Sequence, residues 1–222
     1  MDFDGLKTRI ATRLNRSDLT SEIPGFIASA EDVMNAVLRR DPVRPMMATA
    51  TSNVSSDSFA LPADCIDIIQ INASDSTESW ELVRVSPRDN LDWQAERALP
   101  YGEAYDNSRP KIYRVVGDTA YLPFAPTEGF TATLDYYQEI PALASDNTSN
   151  WMLANHAIVY EHGALAAAYA HLRDEGAEAK YKNDFLEGLN LVLGSYPETG
   201  NPANLRLTDS PLVSTRWSII NG

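Results

Sequence analysis

Cysteine is nearly absent from this sequence. Cys65 stands alone, so no disulfide can form within the chain and the fold does not depend on oxidation. Set in an apolar run, Cys65 reads as a small buried residue. Histidine is scarce as well. None of His156, His162 and His171 has the i, i+4 partner that zinc sites on helices use, and Glu161-His162 is not part of an HExxH motif. Phosphate-cradling glycine loops and the GxSxG elbow are missing. Asp64 and Asp67 form a conceivable carboxylate pair, but a turn cap and an exposed strand position explain them. These lacks leave no positive case for an enzyme, a metal site or a cofactor. Positive charge is short too: 18 Lys and Arg stand against 31 Asp and Glu, a net charge of −13. That argues against a surface made for nucleic-acid phosphates or for anionic membranes. No apolar run reaches the roughly 18 residues of a membrane span. The opening MDFDGLKTRI carries no cationic and apolar export pattern, so no secretory signal is expected.

What is present is a chain of 222 residues, 44% of them hydrophobic, enough to bury a substantial core. The charge is uneven. From Asp57 to Asp106 the acids are opposed only by Arg84, Arg88 and Arg97, whereas residues 1–45 are balanced. Phe3, Leu6, Ile10 and Leu14 recur at helical spacing. A second helix is expected from about Ser21 to Arg40, with Ser21 as N-cap, Pro24 in the first turn, and Ile23, Phe26, Ile27, Ala30, Val33, Met34, Val37 and Leu38 as its apolar set. Residues 46–140 change character. Strands are predicted at 59–61, Cys65–Ile71, Trp80–Val85, Lys111–Val116, Thr119–Leu122 and Phe130–Gln138, with a tight hairpin at Gly117-Asp118 and a short helix near 88–98. This set reads as an antiparallel β-sandwich or barrel. Pro141 ends the last strand, and a polar linker, 141–150, is rich in helix caps. Trp151–Leu153 is expected to form one short turn, followed by an Ala-rich helix from about Ala157 to Arg173 and a final helix from Glu175 to Leu193. Residues 196–222 lack helical periodicity yet carry Trp217, Ile219 and Ile220. Such an arm either folds back on its own domain or anchors a partner.

Several stretches, taken in order, resemble one family. Tyr136-Tyr137, Pro141, the Ser/Asp/Asn linker and Asn150-Trp151 lead into an Ala-rich helix; Ser21-Glu22-Ile23-Pro24-Gly25-Phe26-Ile27, Phe59-Ala60-Leu61-Pro62-Ala63-Asp64 and Pro123-Phe124-Ala125-Pro126 lie before them. The sequence is similar to the head-to-tail adaptors of tailed bacteriophages, the connector or tail-tubular A-like proteins. The likeness covers roughly residues 4–190. It departs at His156-Ala157, where a proline is expected to open the long helix.

The resemblance implies an α+β fold. A helical bundle of residues 1–45 and 151–195 is split in sequence by the inserted β domain at 46–140, and 196–222 extend as an arm. It implies a virion structural protein at the head–tail junction, made in the host cytoplasm and acting without catalysis. Its partners would be the portal protein, a tail or nozzle protein, and other copies of itself in a ring of about twelve. DNA would pass through without specific binding. Leu205, Leu207, Trp217, Ile219 and Ile220 would be the portal-binding arm, and Trp151, Tyr160, Tyr181 and Phe185 bundle or subunit-interface residues. The alternatives are another neck component, such as a stopper or tail-completion protein, and a carbohydrate- or peptide-binding module with Trp80, Trp93, Tyr101 and Tyr105 lining a groove.

Overall fold

Residues 1–86 and 109–196 are described by a computed structural model. The predicted helix near 88–98 and the arm beyond Tyr196 lie outside them. Helix α1, Phe3–Leu14, opens on Asp2, whose carboxylate accepts from Gly5 N at 2.8 Å. Its buried residues are the predicted stripe, Phe3, Leu6, Ile10 and Leu14. Helix α2, Ile23–Leu38, starts later than expected. Ser21 does not cap it; its hydroxyl faces Glu22 instead. Pro24 removes one of the two first-turn N–H groups that a cap would serve, and the chain has already turned through Glu22 N to Leu19 O. Val33, on the rim of the stripe, is exposed.

A short 3₁₀ turn, Arg44–Met46, leads into seven strands: β1 Met47–Val54, β2 Ser58–Ala60, β3 Cys65–Ser74, β4 Ser79–Arg84, β5 Ile112–Val116, β6 Thr119–Tyr121 and β7 Phe130–Gln138. The strand order is β1-β7-β3-β4-β5-β6-β2, so the sheet curls into a barrel closed everywhere except between β1 and β2. The expectation of a wholly antiparallel sheet is corrected at one pair. Val83 and Arg84 of β4 face Ile112 and Tyr113 of β5 in parallel. A parallel pair needs a connection of a dozen residues or more, and the chain from Val85 to Lys111 supplies it. The predicted hairpin at Gly117 is present, with Gly117 at φ +60° between β5 and β6. Strand β1 was not expected. Its inward positions are Ala48, Ala50 and Ser52, too small to register as an alternating apolar strand.

The linker after β7 delivers the chain to α3, Trp151–Leu172, and α4, Glu175–Ser195. The expected separation of a turn at 151–153 from a helix starting at Ala157 is replaced by one helix with a kink. His156 holds φ −133°, ψ 43° inside it. The Asn155 side-chain amide donates to Trp151 O at 3.0 Å and so competes for a carbonyl of the first turn, a recognised way to bend a helix without proline. Helix α4 runs past Gly194 to Ser195, beyond the predicted end.

Two cores result. One gathers α1, α2, α3 and α4 with Val43, Met46, Ile140 and Leu143; the other fills the barrel with Phe59, Ile71, Leu82, Tyr113, Phe130, Leu134 and Tyr136 among others. Ile66 and Tyr137 of the barrel pack against the helical core. Each fully buried Leu or Ile contributes about 1.5–3 kcal/mol.

Candidate functional site at the joint

The described part of the chain concentrates its buried polar chemistry where barrel and helices meet. Asn150, the residue before α3, accepts from Leu153 N at 2.8 Å as an N-cap. Its amide donates to Pro141 O at 2.8 Å and to the Tyr160 hydroxyl at 2.7 Å. Tyr160, wholly buried, donates to Glu31 Oε1 at 2.9 Å, and the same oxygen accepts from Leu143 N at 2.9 Å. Asn35 takes Ile140 N at 2.9 Å, and Thr148 O takes Phe3 N at 2.8 Å. Arg39 pairs with Glu139. Through these bonds one linker holds α1, α2, α3 and the last barrel strand together.

Two buried carboxylates complete the arrangement. Burial pushes the Glu31 carboxyl above the ordinary glutamate range, against the opposing pull of Leu143 N–H and the Tyr160 hydroxyl. Burial, reinforced by the Glu31 charge, drives the Tyr160 hydroxyl far up. Glu161, the next residue on α3, is 0% exposed. Arg9 Nε stands 2.7 Å from one of its oxygens, and Arg13 pairs with the other. Arg9 and Arg13 are one turn apart on α1, so they approach from the same face.

Beside the kink lies a second cluster. Trp151, His156 and Tyr196 meet edge to face, with ring centroids 5.9–6.4 Å apart, and His156 Nε2 lies 3.2 Å from the Tyr196 hydroxyl. Burial lowers the pKa of His156. The Trp151 indole nitrogen is buried and has no acceptor among the described residues. Tyr196 is the root from which residues 197–222 depart.

The residues singled out from sequence fall in different places. Trp151 is half-buried at that root. Tyr160 belongs to the carboxylate network. Phe185 is buried on α4 where a Cβ on Gly163 would come within 2.8 Å of it and of Ala30, so three helices converge on Gly163. Tyr181 stacks on Tyr169 at 5.3 Å, away from the joint. Leu205, Leu207, Trp217, Ile219 and Ile220 lie outside the described residues, as do Trp93, Tyr101 and Tyr105. Trp80, proposed for a groove, donates its indole N–H to Pro110 O and packs on Phe130. Cys65 is half-buried, not buried, and its thiol is pushed up to about 11 by desolvation and the nearby Asp67 and Asp64. Asp64 accepts from the Tyr136 hydroxyl, and Asp67 pairs with Arg84. A cleft of about 400 Å³ opens at the far end of the barrel, lined by Asn53, Ser55, Ser74, Asp75 and Thr131 among others. Among the described residues no group of three His, Cys, Asp or Glu could hold a metal ion, and no helix is long and apolar enough to cross a membrane.

The arrangement is therefore one of fastening, with a barrel locked to helices. A family model described as SU10 adaptor protein matches residues 1–206. The chain belongs to the SU10 adaptor protein family. A search among curated proteins returned no match. As an SU10 adaptor protein it is a phage adaptor, a structural component of the virion. In this adaptor the residues that sequence reasoning missed are Glu31 and Glu161. Glu161 did leave a signal, the one carboxylate in a helix rich in Ala and apolar residues; its partners Arg9 and Arg13 gave none until α1 was placed beside α3.

Proposed function

We propose that this adaptor is of the connector or tail-tubular A-like type. It forms a ring at the head–tail junction, docks on the portal, extends the DNA channel and gives the tail or nozzle protein its platform. The observation that carries this reading is the family match, which spans residues 1–206 and so includes helices, barrel and the root of the arm together. In this reading residues 1–45 and 151–195 are one helical bundle, split by the β domain at 46–140 and joined to it by the linker at 141–150. The work is mechanical and needs no catalysis or cofactor. The acids from Asp57 to Asp106 face the channel and repel DNA, so that it passes without specific binding. The arm at 196–222 reaches the portal with Leu205, Leu207, Trp217, Ile219 and Ile220 as apolar anchors, and an anchor such as Trp217 is worth roughly 2–4 kcal/mol.

Electron microscopy of the protein mixed with portal rings tests this. A density ring seated on the portal is expected, and its loss on truncation after Tyr196 assigns the contact to the arm. No binding to portal rings, with binding to a portal–adaptor complex instead, would make the protein a stopper or tail-completion component.

A further inference from the structure

The helical part presents two unlike faces on opposite sides of α3. Glu161 points to α1, where it holds Arg9 and Arg13. Val159 and Gly163, two residues to either side, point to α4, where Val159 packs on Gly188 and Gly163 on Phe185. Two residues turn a helix by about 200°, so α1 and α4 flank α3 from nearly opposite directions. The α1 side is cationic. Each arginine reaches Glu161, yet the side chains of Arg9 and Arg13 remain 45% and 41% exposed. Neither makes a further ion pair or hydrogen bond among the described residues. Two guanidinium groups against one carboxylate leave one positive charge over, in a chain whose net charge is −13. A buried carboxylate is a costly way to hold two surface arginines. What it supplies is order. The two forks are fixed before a partner arrives, so less side-chain entropy is lost on binding, and an Arg fork matches a carboxylate bidentately. Ile158, three residues before Glu161 on the same face of α3, is exposed and adds an apolar contact.

The outer side of α4 is the complement. Phe185 and Leu189 are buried against the core, and Glu187, two residues from each, points away from it. One turn on, Leu191 is 70% exposed, the most of any large apolar side chain among the described residues. Glu187 makes no ion pair or hydrogen bond among the described residues, and Lys180 and Lys182 lie more than a turn before it. An unpaired acid beside an exposed leucine fits two arginines beside an exposed isoleucine. Nucleic-acid phosphate is the poorer ligand for the forks, because a chain of this net charge repels a polyanion.

We propose that Arg9, Arg13 and Ile158 of one copy of this chain receive Glu187 and Leu191 of a second copy. The contact joins two different faces of the molecule. Each copy therefore offers one face and accepts the other, and repetition builds a ring if the rotation closes. The proposal deepens the ring reading given above and rests on it, naming the side chains through which neighbours meet.

Sedimentation velocity of the full-length protein at rising concentration tests it with two variants that change only exposed residues, so that both cores stay intact. The double variant Glu187→Gln, Leu191→Ser removes the acid and the apolar contact from α4. Ile158→Glu places an acid of the same chain before the forks, where it occupies them and repels Glu187. Calorimetry checks that both variants fold. Wild type should associate reversibly, and each variant should do so on the order of tenfold or more weakly. A one-to-one mixture of the two variants keeps one sound pair of faces and should form a dimer and nothing larger. Wild type that stays monomeric at about 1 mM would overturn the proposal. Variants that associate like wild type, or a mixture no larger than its components, would overturn it too. Microscopy on portal rings judges the ring reading separately. A ring there that both variants still form leaves that reading standing and this contact overturned, whereas no ring from wild type is a failure of the ring reading itself.

Discussion

The helical core and the barrel core solve the same problem with different chemistry. Every buried polar or charged side chain among the described residues, Glu31, Asn150 and Glu161, belongs to the helical part. The barrel buries only apolar and aromatic side chains, and its charges sit at the rim, as in Arg84–Asp67 and Arg109–Asp75. The difference follows from what each part must join. A sheet satisfies its backbone through its own ladders, so its interior can be dry. The helices come from both ends of the sequence and meet a linker whose N–H groups have no ladder. Glu31, Asn35, Asn150 and Tyr160 supply the missing partners. The region that must be fastened is also the region that carries the electrostatic risk, since a buried charge is costly the moment its partner goes.

The largest effect should come from exploiting that risk. Replacing Arg9 and Arg13 together by Ala leaves Glu161 buried without a counter-charge. A loss of about 3–5 kcal/mol is expected, seen as a fall in Tm on the order of 10 °C in calorimetry. Glu161→Met on the same helix should cost far less, because it removes the charge along with its need. If both variants behave alike, the ion pairs are surface decoration and the contrast between the two cores fails.

Next in size is Gly163→Leu. Even a Cβ at that position would come within 2.8 Å of Ala30 and of Phe185, so larger side chains force α2 and α4 apart. About 1–3 kcal/mol should be lost, measured by urea unfolding. Tyr160→Phe belongs to the same range, about 1–3 kcal/mol, because it strips one donor from Glu31 and one acceptor from Asn150 in a buried site.

Glu31 sharpens the comparison through pH. Its folded pKa is raised, chiefly by burial, so the folded state holds the proton more tightly than the unfolded chain does. Its contribution to stability is therefore present at acid pH and is lost as pH rises from about 4, the ordinary glutamate value, through the raised folded value. Glu31→Gln keeps an oxygen for Leu143 N and Tyr160 and never ionises. Its stability relative to wild type should match at acid pH and exceed it at neutral pH, measured by denaturation across that range. A variant that matches wild type at acid pH but is destabilised at neutral pH would show that the charge itself holds the joint.

How much of this was legible beforehand depended on whether the signal was local. Phe3, Leu6, Ile10 and Leu14 announce α1 because a helix stripe is written at three- and four-residue steps. Phe130–Gln138 announces β7 because its alternation is strong in aromatics. β1 escaped because Ala48 and Ala50 point inward without bulk. The parallel β4–β5 pair escaped because pairing direction is a property of the connection, not of the strand. No local pattern sets Glu31 apart from its neighbour Asp32, and only the packing of α3 and the linker against α2 shows it buried. Trp151 was chosen for its place at the linker, and its position against His156 and Tyr196 depends on a kink that no proline announces.

The smallest effect is expected on the barrel side and is the control for the first. Arg84 and Asp67 form an ion pair at 2.8 Å, as close as Arg9 to Glu161, but both side chains are half or more exposed. Water screens them and replaces either partner when it is lost. Arg84→Ala should therefore change stability by no more than about 0.5 kcal/mol, and less at high salt, in the same urea measurement. The two experiments start from Arg–carboxylate pairs of similar distance and contrast a buried carboxylate that loses two cations with an exposed one that loses its single partner. A cost for Arg84→Ala near that of the Arg9, Arg13 variant would mean that separation, not desolvation, sets the strength of these contacts, and the division of labour between the two cores would lose its physical basis.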